Sequence, residues 1–377
     1  MTDFDDRLLD VLQKSVPLAA RPFDEIAATL QTAPSAVLQA VARLRQNGVI
    51  RRISGIFDAP RLGYRQTLVA MTVPPDQLDH AGQIVAGHPG VSHCYARGVG
   101  RAYLPDVPLI PNLWFTLALS PLSRLDLENT VTILAKLAGS TQYMLLPSLR
   151  RYKLQVHIGR MSGGGMPVRA MSSPVRSGPG ATPSPPSGEG VPPETPPLSP
   201  QELRAIAALS SDLPAIEEPF AALASAQSMT AAELLARAND FLAKGYMRRY
   251  AAVLEHRLAG AAANVMVVWR VSDRQADQAG QLCARLHQVS HCYLRQAASN
   301  WPYTLYTMIH GPNEQDCAMT IDEIITTTGL QDHVRLWTVK EYKKEPTKLF
   351  DEQEGAWENA NARQGEGEKG RGGDGDA

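Results

Sequence analysis

FDEIAATLQTAPSAVLQAVARLRQNGVIRR, residues 23–52, returns at 220–249 as FAALASAQSMTAAELLARANDFLAKGYMRR. The offset is 197 throughout, and it pairs Gly48 with Gly245 and Arg51-Arg52 with Arg248-Arg249. Farther along, VSHCYAR (91–97) is answered by VSHCYLR (289–295) in six of seven positions, and NLWFTL (112–117) by NWPYTL (300–305). Between those two matches the offset falls from 198 to 188, so the first copy carries ten extra residues around GRAYLPDVPLIP (100–111). An internal repeat of this length sets the domain count before any element is assigned. The chain is two copies of one unit.

Each copy divides again. In the first, Leu8, Leu9 and Leu12, then Phe23, Ile26, Ala27 and Leu30, then Val37, Val41 and Leu44 fall at helical spacing,. Thr32-Ala33-Pro34-Ser35 reads as a turn between helices, and Asn47-Gly48 as a left-handed stop,. That is the spacing of a helix-turn-helix. Past the double Arg the period changes. QTLVAMTV (66–73), VSHCYAR and LWFTLAL (113–119) read as strands, with helices over DQLDHAGQIVAG (76–87) and LSRLDLENTVTILAKL (122–137) and a last strand ending in LRRYKLQ (149–155),. The second copy follows the same order. The expected fold class is α+β: two tandem copies of a winged-helix-like head joined to a βαββαβ ferredoxin-like domain.

The expected boundaries are 1–62 and 63–160 for the head and sheet domain of copy 1, and 201–259 and 260–350 for those of copy 2. Residues 161–200 hold 11 Pro, 7 Gly, 7 Ser and no aromatic residue, too little apolar surface to offset ordering entropy,. They read as a disordered linker, and 351–377 as a disordered tail,. Much of the high Gly (29) and Pro (28) content of the 377 residues falls there.

A formal net charge of −1 excludes a surface that is a polyanion clamp throughout, yet permits a local basic pocket,. Four cysteines, Cys94, Cys283, Cys292 and Cys317, form neither a CxxC pair nor a disulfide framework, which fits a reducing compartment,. The start, MTDFDDRLLDVLQ, is acidic and polar, unlike a signal peptide, and no stretch approaches the roughly 18 apolar residues of a membrane span,. A cytoplasmic protein without membrane contact is expected.

The strongest chemical signal is His-Cys-Tyr-x-Arg, present as His93, Cys94, Tyr95, Arg97 and as His291, Cys292, Tyr293, Arg295. On a strand, His, Tyr and Arg share one face and Cys turns to the other. An imidazole, a phenol and a guanidinium on one face suit an anionic ligand, with Arg pairing a carboxylate and His or Tyr moving a proton or meeting a metal. The bland alternative is a half-exposed face at a subunit contact. The pairs Arg51-Arg52 and Arg248-Arg249 could touch phosphates, lie solvated on a wing, or anchor carboxylates between head and sheet. Trp301-Pro302-Tyr303 follows the Arg295 strand closely enough to wall a flat ligand. The second recognition helix, AAELLARAND (231–240), carries two acids and little that reads bases; the first, with Gln39, Arg43 and Arg45, is better equipped,. Zincin, phosphate-loop, dinucleotide and Ser-His-Asp signatures are all missing from the chain,.

Taken together, a helix-turn-helix head on a βαββαβ sheet resembles the Lrp/AsnC regulators, and the duplicated GVSHCY…R and WPY pattern resembles the siroheme decarboxylases. The likeness covers both blocks, about 300 residues. It implies non-oxidative loss of CO2 from the C12 and C18 acetates of siroheme, an iron isobacteriochlorin with eight carboxylates, giving 12,18-didecarboxysiroheme on the way to haem d1 or along the alternative haem route. No cofactor is implied, because the iron enters with the substrate. The same likeness casts His291 and Tyr293, with His93 and Tyr95, as proton donors, with His291 or His93 as a contact for the substrate iron. Arg295, Arg248 and Arg249 would hold acetate and propionate groups, with Arg97, Arg51 and Arg52 as the equivalent set, and Trp301 and Tyr303 would stack on the macrocycle. Copy 1 departs from the pattern, with its insertion and with Leu113-Trp114-Phe115 in place of Trp-Pro-Tyr, so its pocket need not be equal. Copy 1 pairs with copy 2 inside the chain, a homo-oligomer is left open, and nucleic acid is not an expected partner. The rival readings are an Lrp-type regulator, favoured by the heads alone, and a haem sensor without catalysis.

Overall fold

The computed structural model describes residues 2–99, 110–154, 197–254 and 263–361. The head of copy 1 is built from α1 (Asp3–Lys14), α2 (Pro22–Leu30), α3 (Pro34–Gln46) and β1 (Ile50–Phe57). Its sheet domain follows as β2 (Arg65–Thr72), α4 (Leu78–Ala86), β3 (Val91–Gly98), β4 (Leu113–Leu119), α5 (Leu127–Leu137), β5 (Gln142–Leu146) and β6 (Ser148–Leu154). Copy 2 repeats the order with α6 (Pro200–Ser210), α7 (Pro219–Ser225), α8 (Ala231–Ala243) and β7 (Met247–Leu254), then β8 (Ala263–Trp269), α9 (Asp273–Arg285), β9 (Val289–Arg295), β10 (Leu305–Gly311), α10 (Glu314–Thr328) and β11 (His333–Lys344). The expected α+β class and its duplication are both present. Two expectations need correction. The 161–200 stretch lies outside the described residues up to 196, but its end is part of the second head: the Ser199 hydroxyl caps α6 in a capping box with Glu202,. The 351–377 stretch is not tail throughout. Residues Glu352–Asn361 form α11, which buries Glu354 and Glu358 against copy 1 and sets Trp357 edge-on to His88; residues 362–377 lie outside the described part.

The heads share one apolar core, in which Leu8, Phe23, Ile26 and Leu44 meet Ile206, Phe220, Leu234 and Phe241. β1 and β7 pair antiparallel across it. Charged ties run between the heads as well. Arg45 reaches Asp212 and the Leu213 carbonyl, and Arg21 reaches Glu217 at 2.9 Å.

The remaining strands of the described residues form one sheet, in the order β5-β2-β4-β3-β11-β8-β10-β9-β6. The two copies exchange their last strands. β11 pairs with β8 of its own copy over His333–Trp337, then bends away to pair with β3 of copy 1 over Trp337–Lys344. Likewise β5 pairs with β2, and beyond Pro147 its continuation β6 pairs with β9 of copy 2. The visiting strands are clasped in the same way at both ends. The Tyr342 hydroxyl donates to Asp79 at 2.7 Å and the Tyr152 hydroxyl to Asp277 at 2.6 Å. Lys343 donates to the Ala86 and His88 carbonyls, and Lys153 to that of Leu286. Each Tyr ring lies on a helix glycine, Gly82 or Gly280, where a Cβ would overlap it.

Helices cover the outer faces, packing α4 and α5 around Val69, Phe115 and Leu117 and α9 and α10 around Val265, Val267 and Ile309. The inner faces turn toward each other. They meet through Trp114, Met266, Val268, Trp301, Tyr306 and Leu336, and beside this apolar plug they enclose the site,.

Candidate functional site

The space between the two inner faces is a cavity of about 1600 Å3. Drug-sized sites occupy roughly 300–1,000 Å3, so this one has room for a larger ligand. His93, Tyr95 and Arg97 of β3 and His291, Tyr293 and Arg295 of β9 all line it. Strand alternation explains this: Cys94 and Cys292 turn outward and are fully buried under the helices,. Eight Arg and Lys side chains line the space against four Asp and Glu. An excess of positive charge inside a chain of net charge −1 marks a place made for an anion,.

Each copy holds its triad in a distinct way. Arg97 is 3% exposed and donates to the Leu336 carbonyl at 3.3 Å and the Thr338 hydroxyl at 3.0 Å, with its guanidinium 4.9 Å from the Tyr95 ring centroid. Burial pushes it down to about 10,. Arg295 donates to the Leu146 carbonyl at 2.8 Å and lies 5.0 Å from the Tyr293 centroid and 5.5 Å from that of Tyr306. The His93 Nδ1 meets the Ser92 hydroxyl at 3.0 Å, and the His291 Nδ1 meets that of Ser290 at 2.8 Å. Burial, with Lys344, Arg51 and Arg97 nearby, pushes His93 down to about 4, so its imidazole is neutral at pH 7,.

The arginine pairs divide. Arg51, Arg52 and Arg248 line the cavity, and burial beside Arg51 lowers Arg52. Arg248 is already tied to Asp58 through two contacts, at 2.7 and 3.0 Å. Arg249 is exposed on β7 and is not among the lining residues. The β1–β7 pairing explains this, since it aims alternate side chains away from the sheets. Trp301 and Tyr303 also stand apart from the lining. The Trp301 ring is 4% exposed, donates to the Tyr306 hydroxyl at 2.8 Å and lies 5.8 Å from Trp114, so it backs the wall rather than facing the space. Trp114 and Tyr306, by contrast, do line the cavity. The β3–β4 and β9–β10 registers place Trp114 opposite Tyr95 and Tyr306 opposite Tyr293, so Trp114 corresponds to Tyr306 at an offset of 192, and the match of Leu113-Trp114-Phe115 to Trp301-Pro302-Tyr303 at 188 is corrected.

Strand exchange brings in further cations, Lys340 and Lys344 from β11 and Arg151 from β6. Ser92, Ser290 and His310 are contributors that sequence reasoning missed: the two serines stand in the repeated VSHCY stretch beside each His, whereas His310 depends on the β9–β10 register, which a linear reading does not provide. In the heads, by contrast, Arg43 is spent on Asp5, 4% exposed, and Arg45 on Asp212, so two of the three side chains best suited to read bases serve the fold.

Comparison with known proteins agrees with this geometry. Residues 61–153 and 258–343 match the AsnC-like ligand binding domain, and 5–51 and 202–248 match the siroheme decarboxylase NirDL-like HTH domain. A siroheme decarboxylase of Hydrogenobacter thermophilus is 30% identical over 352 residues, 93% of this chain and 96% of the relative. The siroheme decarboxylase NirDL subunit of Paracoccus pantotrophus is 31% identical over 311 residues, 82% of this chain and 85% of the relative. Crystal structures of the siroheme decarboxylase NirDL, one in co-complex with an iron-uroporphyrin III analogue, align over 96% of this chain and 99% of theirs with a TM-score of 0.74 at 26% identity. A duplicated head and sheet, exchanged strands and a cationic inner cavity thus sit in a chain that belongs to the siroheme decarboxylase family.

Proposed function

We propose that this chain removes CO2 from the C12 and C18 acetates of siroheme, giving 12,18-didecarboxysiroheme, as a non-oxidative carboxy-lyase. The observation that carries the reading is the inter-sheet cavity, wide enough for a macrocycle and lined by an excess of Arg and Lys around two His-Tyr-Arg sets. A substrate with eight carboxylates brings the counter-charge that the lining lacks. Arg97, Arg295, Arg51 and Arg52 bind carboxylates that stay attached, through forked donors suited to that geometry. The scissile acetate sits over the His and Tyr of a set instead, within reach of a proton donor. When its C–C bond breaks, the electron pair stays on the methylene carbon and CO2 departs. One proton then completes each methyl group.

His291 supplies that proton in this reading, assisted by Tyr293. His93, held neutral at pH 7, offers an uncharged imidazole to the substrate iron,. Tyr95 assists on that side. Nothing beyond the substrate's own iron is required as a cofactor. Four buried free thiols suit a cytoplasmic setting,, and no helix of the described residues is long and apolar enough to cross a membrane.

Anaerobic incubation with siroheme followed by mass measurement tests the proposal. Loss of two CO2 is the expected result; binding without mass change would leave a sensor. Replacing His291 by Ala should lower turnover by about 10²–10⁴-fold, the usual range for a general acid, and unchanged turnover would remove His291 from the chemistry.

A further inference from the structure

The two His-Tyr-Arg sets differ in what stands behind the histidine. In copy 2 the Ser290 hydroxyl is the centre of three contacts: His291 Nδ1 at 2.8 Å, His310 Nε2 at 2.9 Å and the Met308 carbonyl at 3.3 Å. Ser290 is 4% exposed and His310 half-buried at the cavity lining. In copy 1 the Ser92 hydroxyl meets His93 Nδ1 at 3.0 Å. The place of His310 is held there by Ala118, because His93 faces Thr116 as His291 faces Met308, two residues earlier on each strand. Backbone bonds agree, from Ala118 to the Gly90 carbonyl and from His310 to that of Gln288.

A serine hydroxyl has one proton and can accept more than one. If the His310 Nε2–H donates to the Ser290 oxygen, the Ser290 proton is directed to the shorter of its two remaining contacts, His291 Nδ1. That contact fixes the other nitrogen of His291, Nε2, as the protonated one. We infer that His310 is a positioning residue: through Ser290 it holds His291 in the tautomer that carries its proton on Nε2, away from Ser290, so that in copy 2 an oriented N–H rather than a bare nitrogen meets the ligand. Copy 1, with a methyl group in that place, lacks the device. The inference rests on the proposed decarboxylation only for its catalytic consequence; the tautomer itself belongs to the ligand-free protein.

Two measurements separate these levels. Side-chain nitrogen NMR of the full-length, ligand-free protein labelled with 15N-histidine should show His291, assigned by its loss in His291→Gln, as the Nε2–H tautomer. His310→Ala should shift that population toward Nδ1–H, and His310→Gln, whose amide N–H can still donate to Ser290, should restore it. A wild-type His291 protonated on Nδ1, with Ser290 turned to Met308, would overturn the inference whatever the substrate is. In turnover of siroheme, His310→Ala should lower kcat by about tenfold or more with KM little changed, and His310→Gln should recover most of it. Equal kcat in all three proteins, or a Gln variant as slow as the Ala variant, would equally overturn it. Failure of the wild-type protein to release CO2 from siroheme would instead count against the proposed function and leave the NMR result standing.

Discussion

Arg97 shows at a single position how a binding site strains the fold that holds it. Its guanidinium is 3% exposed, and its partners are a backbone carbonyl, a hydroxyl and an aromatic face, all neutral. A buried cation without a carboxylate is costly, and replacing such a group by an apolar side chain is often stabilising. Arg97→Met should therefore raise the melting temperature of the ligand-free protein, by an amount equivalent to about 1 kcal/mol or more, while raising KM for siroheme at least tenfold. A lower melting temperature would show that Arg97 serves the fold rather than the ligand. His88 makes the opposite kind of demand. Its fully buried ring accepts the Gly90 N–H at 2.9 Å, and burial, with Lys343 close by, pushes it from 6.5 down to about 4. The unfolded chain takes up a proton at this site from about pH 6.5 downward, and the folded chain does so only near 4,. Stability is thus intact above 6.5, is lost as pH falls through that window, and levels off below it, for about 3 kcal/mol from this residue,. Denaturant unfolding from pH 7 to 4 should show this slope, and His88→Asn should flatten it.

At the level of elements, the exchanged strands β6 and β11 matter most. They close the cavity edges and deliver Arg151, Lys340 and Lys344 to it. Their seats depend on two helix glycines. A Gly280→Ala methyl would overlap the Tyr152 ring, and Gly82→Ala the Tyr342 ring. Overpacking of this kind costs roughly 1–3 kcal/mol. Gly280→Ala should lower stability by that amount and weaken siroheme binding together, read by thermal melting and by titration of the siroheme absorbance. Stability lost with binding intact would separate the clasp from the site. Among the described residues, no helix packs against copy 2 as α11 packs against copy 1. The buried Glu358 of α11 accepts from Ser123 and from the Leu125 and Arg124 backbone, and Glu354 accepts from the Ser120 N–H at 3.0 Å. These contacts fasten the end of β11 to copy 1.

For the whole molecule, the consequence of exchange is that neither copy is complete alone. Each contributes a strand to the other's sheet, the heads share a core, and the cavity takes a His-Tyr-Arg set from each. Cutting the chain within 161–196 should leave both halves associated and active, as judged by native mass spectrometry and CO2 release. Halves that drift apart at micromolar concentration would mean that the covalent connection, rather than the exchanged strands, holds the site together. Within the heads, Arg43 is engaged with Asp5 and Arg45 with Asp212.

Duplication, the helix-turn-helix spacing, the βαββαβ order and the inward His-Tyr-Arg face were all legible in the chain. Each depends on local period or on a repeat, and both are written in linear order. The residues that share a face of one strand, such as His291, Tyr293 and Arg295, follow from alternation alone. What lies opposite that face does not. Register between strands decided that His310 stands behind Ser290 and that Tyr306 rather than Trp301 meets the space. Strand exchange decided that basic residues at the end of one copy serve the cavity beside the other. The tail, polar and Gly-rich in composition, hid a helix held by burial of Glu354, Trp357 and Glu358 against a surface far away in sequence. Side-chain periodicity is a property of each strand by itself, whereas pairing, exchange and burial are free energies of contact between distant segments, and only the folded molecule assigns those.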